Sequence, residues 1–222
     1  RLESRFAAGY RVQFSYNYSK FMEAVSYLND TDSAPTHVIA TQDRPHRVAA
    51  NGIWELPFGK GRKFLSGSRG VMNHLVGGWQ INVIFQYQSG APLEFGNVLF
   101  YGNIKDIRLS SDERSVARWF NTDAGFEKVS SKQLVSNIRT FPNRFGGIRA
   151  PASSAWNASA VKNFRITERV KMQLRGESYN AFNQRDLAAP NMTPTNTAFG
   201  QITSTVADSN ARWAMLALKV TF

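Results

Sequence analysis

The sequence predicts an all-β fold, an antiparallel transmembrane β-barrel, on three observations. Apolar and polar residues alternate with period two in seven segments of the 222-residue chain. The connections between these segments alternate between short and long. Tyr and Trp residues stand near the ends of the segments, as they do at the two headgroup levels of a bilayer.

The clearest strand covers residues 10–19, where the even positions are Tyr, Val, Phe, Tyr and Tyr and the odd positions are Arg, Gln, Ser, Asn and Ser. The same alternation covers 79–88, with Ile84 as the apolar exception on the polar side, and 214–222. It is weaker at 2–6, 46–56, 156–164 and 170–182. Together these segments predict seven strands.

The lengths of the connections indicate which ends of the strands are periplasmic and which are extracellular, because outer-membrane barrels have short periplasmic turns and long extracellular loops. The periplasmic turns are expected at 7–9, 58–76 and 165–169, and the extracellular loops at 22–45, 90–153 and 183–210. With this assignment the last strand runs toward the periplasm and ends there at Phe222.

The alternation also assigns the side chains to two faces. Polar residues are expected to face the lumen, namely Arg11, Gln13, Gln80, Asn82, Gln86, Gln88, Arg175 and Glu177. The aromatic residues expected at the membrane interfaces are Tyr10, Tyr16, Tyr18, Trp54, Trp79, Tyr87 and Phe164.

Composition narrows the functional classes. The chain has no cysteine, so it can form neither a disulfide framework nor a thiolate metal site. No run of 18 apolar residues occurs, which excludes a bundle of transmembrane helices, whereas the mean hydropathy of −0.35 is compatible with alternating barrel strands.

Residue motifs for catalysis or metal binding are weak. The three histidines are far apart in the sequence, and residues 29–33 resemble the start of a calcium loop without the glutamate at its twelfth position. The Gly-Lys-Gly-Arg-Lys stretch at 59–63 lacks the ending of a phosphate-binding loop and is predicted to be a turn. We therefore expect no catalytic residues, no metal and no cofactor.

The net charge of +11 leaves a second class open, a soluble basic β-domain, such as a β-sandwich, that binds a polyanion. The basic residues concentrate at 60–69 and in 105–150, at the ends of the predicted strands. That distribution suits anionic lipid headgroups, so we expect outer-membrane lipids rather than nucleic acid as partners. A self-contained eight-stranded barrel, with an extra strand at 97–101, is a further alternative.

Longer motifs carry a family resemblance. They are HRVAANGIWELPFGKGRKF at 46–64, GGWQ at 77–80, YQSGAPL at 87–93, KNFRITER at 162–169, QLRGE at 173–177, NAFN at 180–183, FGQI at 199–202 and LALKVTF at 216–222. In this order they resemble the C-terminal barrel portion of TonB-dependent outer-membrane receptors of the Oar-like type, found in acidobacteria and related phyla. The match covers most of the chain outside 96–150.

The resemblance implies a barrel of about 22 strands in the bacterial outer membrane, of which residues 1–222 are the C-terminal part. It implies energy-coupled passage of an unidentified ligand, with the TonB complex engaged through parts of the protein outside this sequence. It also implies that the barrel-assembly machinery reads Phe222 as an assembly signal. A structural or orphan outer-membrane barrel without a transport role stays open as an alternative.

Overall fold

The computed structural model describes residues 2–4, 9–167, 169–207 and 209–222, and side chains from Gly9 onward within these ranges. Its strands are β1 (Leu2–Ser4), β2 (Tyr10–Tyr18), β3 (Met22–Glu23), β4 (Val38–Ile39), β5 (His46–Glu55), β6 (Trp79–Gln88), β7 (Pro92–Glu94), β8 (Arg144–Arg149), β9 (Ser153–Arg165), β10 (Lys171–Tyr179) and β11 (Trp213–Thr221). One α-helix, α1 (Gly70–Val76), and 3-10 helices at Ile104–Ile107 and Ser130–Lys132 complete the described elements.

Seven strands form one antiparallel sheet in the order β1-β2-β5-β6-β9-β10-β11, so each strand pairs with the next long strand along the chain. Each of the seven predicted strands is confirmed, although the first is described only over Leu2–Ser4. Short loop strands form two separate pairs, β3 with β4 and β7 with β8. The described sheet is open, with β1 and β11 at its edges.

The pairing register is continuous from β2 to β11, which keeps each face of the sheet uniform. A ladder runs through Tyr10, Trp54, Ile81, Ala160, Gly176 and Leu216 on one face. The neighbouring ladder runs through Arg11, Ile53, Asn82, Ser159, Glu177 and Met215 on the other. Because side chains alternate across a sheet, the first face is predominantly apolar and the second predominantly polar.

The strands are staggered across the sheet. Tyr10 and Leu216 stand in the same ladder. Tyr10 is the first residue of β2, whereas Leu216 lies inside β11, with residues of that strand on both sides of it. Strand centres therefore shift by about one residue per strand, which corresponds to a tilt of about 35° with the usual rise and spacing. Tilts of this size are typical of outer-membrane barrels, whose strands have the 9 to 13 residues found in β2, β5, β6, β9, β10 and β11.

Two of the quoted motifs contain a glycine that is required for steric reasons. Gly78 has a φ of 73°, and a Cβ placed there would lie 2.5 Å from the carbonyl oxygen of Asn163 on the neighbouring strand. A Cβ on Gly90 would lie 1.8 Å from the carbonyl oxygen of Ala150. Both positions therefore require glycine, because the backbones of two segments approach closely where β6 begins and after it ends.

Two predicted connections differ from expectation. The segment 58–76 is not a plain turn, because it contains α1. The stretch 90–153, which the sequence predicts as an extracellular loop, contains β7, β8 and a hydrophobic core. Within it, residues 97–101 do not form the strand that the eight-stranded alternative needs, since Phe100 alone of them forms an isolated bridge, to Phe126. The predicted turns at 7–9 and 165–169 include residues 7, 8 and 168, which lie outside the described residues.

Candidate functional site

The long connections fold together over one end of the sheet, around a cluster of phenylalanines. Phe95 lies at the centre, 1% exposed, with its ring centroid 5.8, 5.5 and 5.1 Å from those of Phe120, Phe126 and Phe141. Ring pairs at these separations add dispersion and quadrupole attraction to the burial of apolar area. Residues from 93 to 150 thus form a packed core of their own.

The connection 183–210 closes the same core. Phe199 packs its ring edge-on against Phe120 and Phe126, with centroid distances of 5.3 and 5.1 Å. Backbone hydrogen bonds support this packing, from Trp119 N–H to the Gly200 carbonyl at 2.8 Å and from Ile202 N–H to the Val116 carbonyl at 2.8 Å. The two connections are therefore one folded unit.

Ion pairs attach the connection 22–45 to that unit. Arg149 donates to the carboxylate of Asp43, with Nη2 and Oδ2 2.5 Å apart, and Asp43 also accepts from the Phe21 N–H at 2.7 Å. Arg144 donates to Glu23 and to Glu94, at 2.5 and 3.0 Å. We call the three connections, residues 22–45, 90–152 and 183–210, the cap.

A cavity of about 550 Å³ lies on the polar face of the sheet, near the strand ends that lead into the cap. Its lining includes Ser15, Asn17, Arg47, Ala49, Gln86, Gln88, Ser153, Ala155 and, from the cap, Asp186. The register explains the grouping, because Asn17, Arg47, Gln88 and Ser153 form one ladder across the sheet. The cavity is lined by hydroxyl, amide and guanidinium groups that can hydrogen-bond a polar ligand.

Arg47 is the basic residue of this lining. Arg47 donates from Nε and Nη2 to Oε1 of Gln88, at 3.1 and 2.8 Å, which fixes the guanidinium along the sheet. Partial burial, and then the positive charges of Arg149 and Arg47, lower the pKa of Arg44 from its ordinary value. Arg149 is paired with Asp43, and Asp186 adds an acidic group to the lining, so the charged side chains of the cavity are one of each sign, Arg47 and Asp186.

The register places all eight residues predicted to face the lumen on the polar face. They do not converge on one site. Gln86 and Gln88 line the cavity. Asn82 lies nearer the beginning of β6, where it accepts from Gln80 at 2.7 Å and donates to Ser159 at 2.9 Å. Gln13 accepts from Asn51 at 3.3 Å, and Arg175 pairs with Glu177 at 3.3 Å. Arg11 lies beside Ile53 on the same face. Their orientation toward the lumen stays a prediction.

Arg47, Ser15, Asn17 and Ser153 are cavity residues that the sequence interpretation did not select. The alternation within 46–56 is weak, because small residues occupy both faces at Ala49, Ala50 and Gly52. Arg47 is the cross-strand partner of Asn17 on the neighbouring strand, and this pairing places it on the polar face.

The predicted interface aromatics lie on the apolar face, in two groups at opposite ends of the strands. Tyr16 and Tyr87 share a ladder next to the cap, with Tyr18 beyond them. Tyr10 and Trp54 form a pair at the other end, with Trp79 and Phe164 beyond that pair. This arrangement has the geometry of two aromatic girdles, and their depth in a bilayer stays a prediction.

Phe222 follows the last residue of β11, the edge strand, and its side chain is 93% exposed. Leu216, Leu218 and Val220 continue the apolar face toward it. The exposed ring is free to contact a partner outside the described residues. The role of Phe222 as an assembly signal stays a prediction.

The described residues contain no group of three or more side chains able to hold a metal ion. His46 instead bonds through Nδ1 to the Tyr16 hydroxyl at 2.8 Å and packs against Tyr18. Among the described helices, none is long and apolar enough to span a bilayer.

Comparison with known proteins identifies the family. No curated protein and no solved structure matches the chain. The family model for the outer membrane beta barrel domain matches residues 1–214, nearly the whole chain. The antiparallel meander with one apolar and one polar face is the structure expected of such a domain. The chain therefore belongs to the outer membrane beta barrel domain family, whose place is the bacterial outer membrane.

Proposed function

We propose that the chain is the C-terminal barrel segment of a TonB-dependent receptor of the Oar-like type, which passes an unidentified polar ligand across the outer membrane. The observation that carries the proposal is the cavity on the polar face, near the strand ends that lead into the cap, lined by Arg47, Gln86 and Gln88. A ligand entering there would meet hydrogen-bonding groups near the folded loops. The motif resemblance supplies the receptor type.

The open edges of the sheet support a larger barrel. In the described sheet β1 and β11 each have a partner on one side only. An unpaired strand edge in lipid leaves backbone groups without hydrogen bonds, each costing several kcal/mol. We infer that further strands close the barrel, and the motif resemblance implies a total of about 22. The eight-stranded alternative loses its extra strand, because residues 97–101 do not form one.

The partners follow from this proposal. Outer-membrane lipids would cover the apolar face, the barrel-assembly machinery would insert the strands, and the TonB complex would engage parts of the protein beyond these residues. The proposal gives the chain no catalytic activity and no nucleic-acid partner. The soluble polyanion-binding alternative is set aside, because the family is an outer-membrane one.

An outer-membrane barrel without transport is the second candidate. The packed cap favours it, because the cluster around Phe95 and the Arg149–Asp43 pair hold the three connections together as one structure suited to a surface platform. Transport and platform roles differ in whether TonB is engaged and whether the cavity is used.

Capture on the periplasmic domain of TonB separates the two candidates. The whole protein, extracted from outer membranes in mild detergent and shown to be folded by heat-modifiable migration, is passed over immobilised TonB domain. A TonB-dependent receptor is retained, and a porin from the same extract, as control, is not. Folded protein that flows through with the porin would favour the platform role.

A further inference from the structure

The segment 58–76 combines basic residues with an exposed apolar helix. It contains Lys60, Arg62, Lys63 and Arg69 and no acidic residue. Arg62 is paired with Glu55 at 2.9 Å, which leaves the other cations in 58–76 without an ion pair among the described residues. Within α1, Val71, Met72 and Leu75 are exposed, Val71 by 75%.

The exposed apolar residues of α1 share one side of the helix. At 100° per residue, positions 71, 72 and 75 fall within an arc of about 100°. Asn73 lies on the opposite side and is held there, since its Oδ1 accepts from the Lys60 N–H at 2.7 Å and from the Ser68 hydroxyl at 3.3 Å. The helix is therefore fixed to its own connection by its polar side, and its apolar side is left outward.

The C-terminal end of α1 is attached to the apolar face of the sheet. Lys162 and Trp79 are paired on that face, and both donate to the Leu75 carbonyl, at 3.1 and 2.9 Å. Lys162 also donates to the Gly77 carbonyl, and its ammonium lies 5.1 and 5.3 Å from the ring centroids of Trp79 and Phe164. A cation at the last carbonyls of a helix stabilises that end. Lys162, 2% exposed, thus fastens α1 to the apolar face of the sheet.

We propose that α1 is a membrane-interface anchor whose partner is the phospholipid leaflet on the periplasmic side. Val71, Met72 and Leu75 insert at the level of the interface aromatics, and Lys60, Lys63 and Arg69 contact headgroup phosphates. Two features support lipid as the occupant. The exposed stripe is continuous with the apolar sheet face through Trp79 and Lys162, and the surrounding charges are positive, as an anionic surface requires. The anchor rests on the barrel facing and the topology proposed above.

Quenching by brominated lipid tests this anchor. Residues 1–222 contain no cysteine. Once any cysteine elsewhere in the whole protein is replaced with Ser, the single variants Met72→Cys, Leu218→Cys and Val135→Cys can each be labelled with bimane. The labelled proteins are reconstituted in vesicles of phosphatidylethanolamine and phosphatidylglycerol with brominated acyl chains. Leu218 lies on the apolar face of β11, and Val135 is 99% exposed in the cap. We expect strong quenching at 218 and at 72 and none at 135.

The outcomes distinguish the anchor from the barrel facing. Quenching at 218 with a position 72 that behaves like 135 would overturn the anchor alone. Absence of quenching at 218 would overturn both the facing and the anchor.

A charge comparison tests the phosphate contacts. In the Met72→Cys protein, replacing Lys60, Lys63 and Arg69 with Gln should reduce the quenching at 72 in vesicles with phosphatidylglycerol. In the control, the Met72→Cys protein carries Gln in place of Lys105 and Lys132, which lie in the cap, and its quenching at 72 should be unchanged. Equal quenching in both triple and control variants would overturn the phosphate contacts.

Discussion

Arg149 of β8 and Asp43 of the connection 22–45 form an ion pair whose carboxylate is 1% exposed, although the two residues are 106 positions apart in the chain. The pair joins two loops that leave different strands of the sheet. Removing one member of a buried pair leaves the other charge without its partner, at a typical cost of about 3–5 kcal/mol. The cap is therefore a structure with its own stability, fixed by charge as well as by packing.

Asp43→Ala should loosen the cap. Because Arg149 retains 20% side-chain exposure, we expect the lower end of the cost, about 3 kcal/mol. Hydrogen exchange of the β4 and β8 amides would measure it as lost protection. The matched control is Asp123→Ala, whose exposed pair with Lys128 should be worth about 1 kcal/mol or less. Equal loss of protection in both variants would contradict a special role for the buried pair.

Phe95→Ala should destabilise the cap by about 3–5 kcal/mol, because it removes the ring at the centre of the phenylalanine cluster. Limited proteolysis of the purified protein would show faster cleavage among the basic residues of the cap. Tyr101→Ala is the control, since Tyr101 is largely exposed and its removal should change stability by about 0.5 kcal/mol or less. If the two variants are cleaved at the same rate, the cluster does not hold the cap together.

A charge on the apolar face should be costly at mid-strand. Val83→Arg in β6 and Leu218→Arg in β11 are each expected to cost about 2–4 kcal/mol of barrel stability, whereas Gln86→Arg on the polar face should cost little. Urea unfolding in lipid vesicles gives the three values. Similar destabilisation by all three variants would show that the facing assignment is wrong.

Deleting Phe222 should impair insertion of the barrel and leave export intact. The side chain ends the apolar face of the edge strand β11, where a ring at the interface would set the depth of the strand before it pairs. We expect less of the folded, heat-modifiable form in the outer membrane and more degradation in the periplasm. Undiminished insertion would remove the assembly role.

Period-two alternation predicts the sheet well because lipid and lumen impose opposite polarities on the two faces of each strand. It predicts nothing about the cap. Phe95, Phe120, Phe126, Phe141 and Phe199 have no common spacing, and their cluster exists only through contacts between distant segments. Because small residues occupy both faces at Ala49, Ala50 and Gly52, the alternation there does not indicate the face on which Arg47 lies. Local alternation therefore predicts the sheet. It does not predict the candidate cavity as a whole.

Membrane-impermeant maleimide labelling of intact cells tests most directly whether this chain spans the outer membrane with its cap outside. The test uses two single-cysteine variants of the whole protein, in which any cysteine outside residues 1–222 is replaced with Ser. They are Val135→Cys in the cap and Gly67→Cys in the segment 58–76, where an added side chain has open space. We predict labelling at 135 in intact cells, and labelling at 67 only after the cells are lysed. Labelling at 67 in intact cells, or at neither position until lysis, would contradict the account.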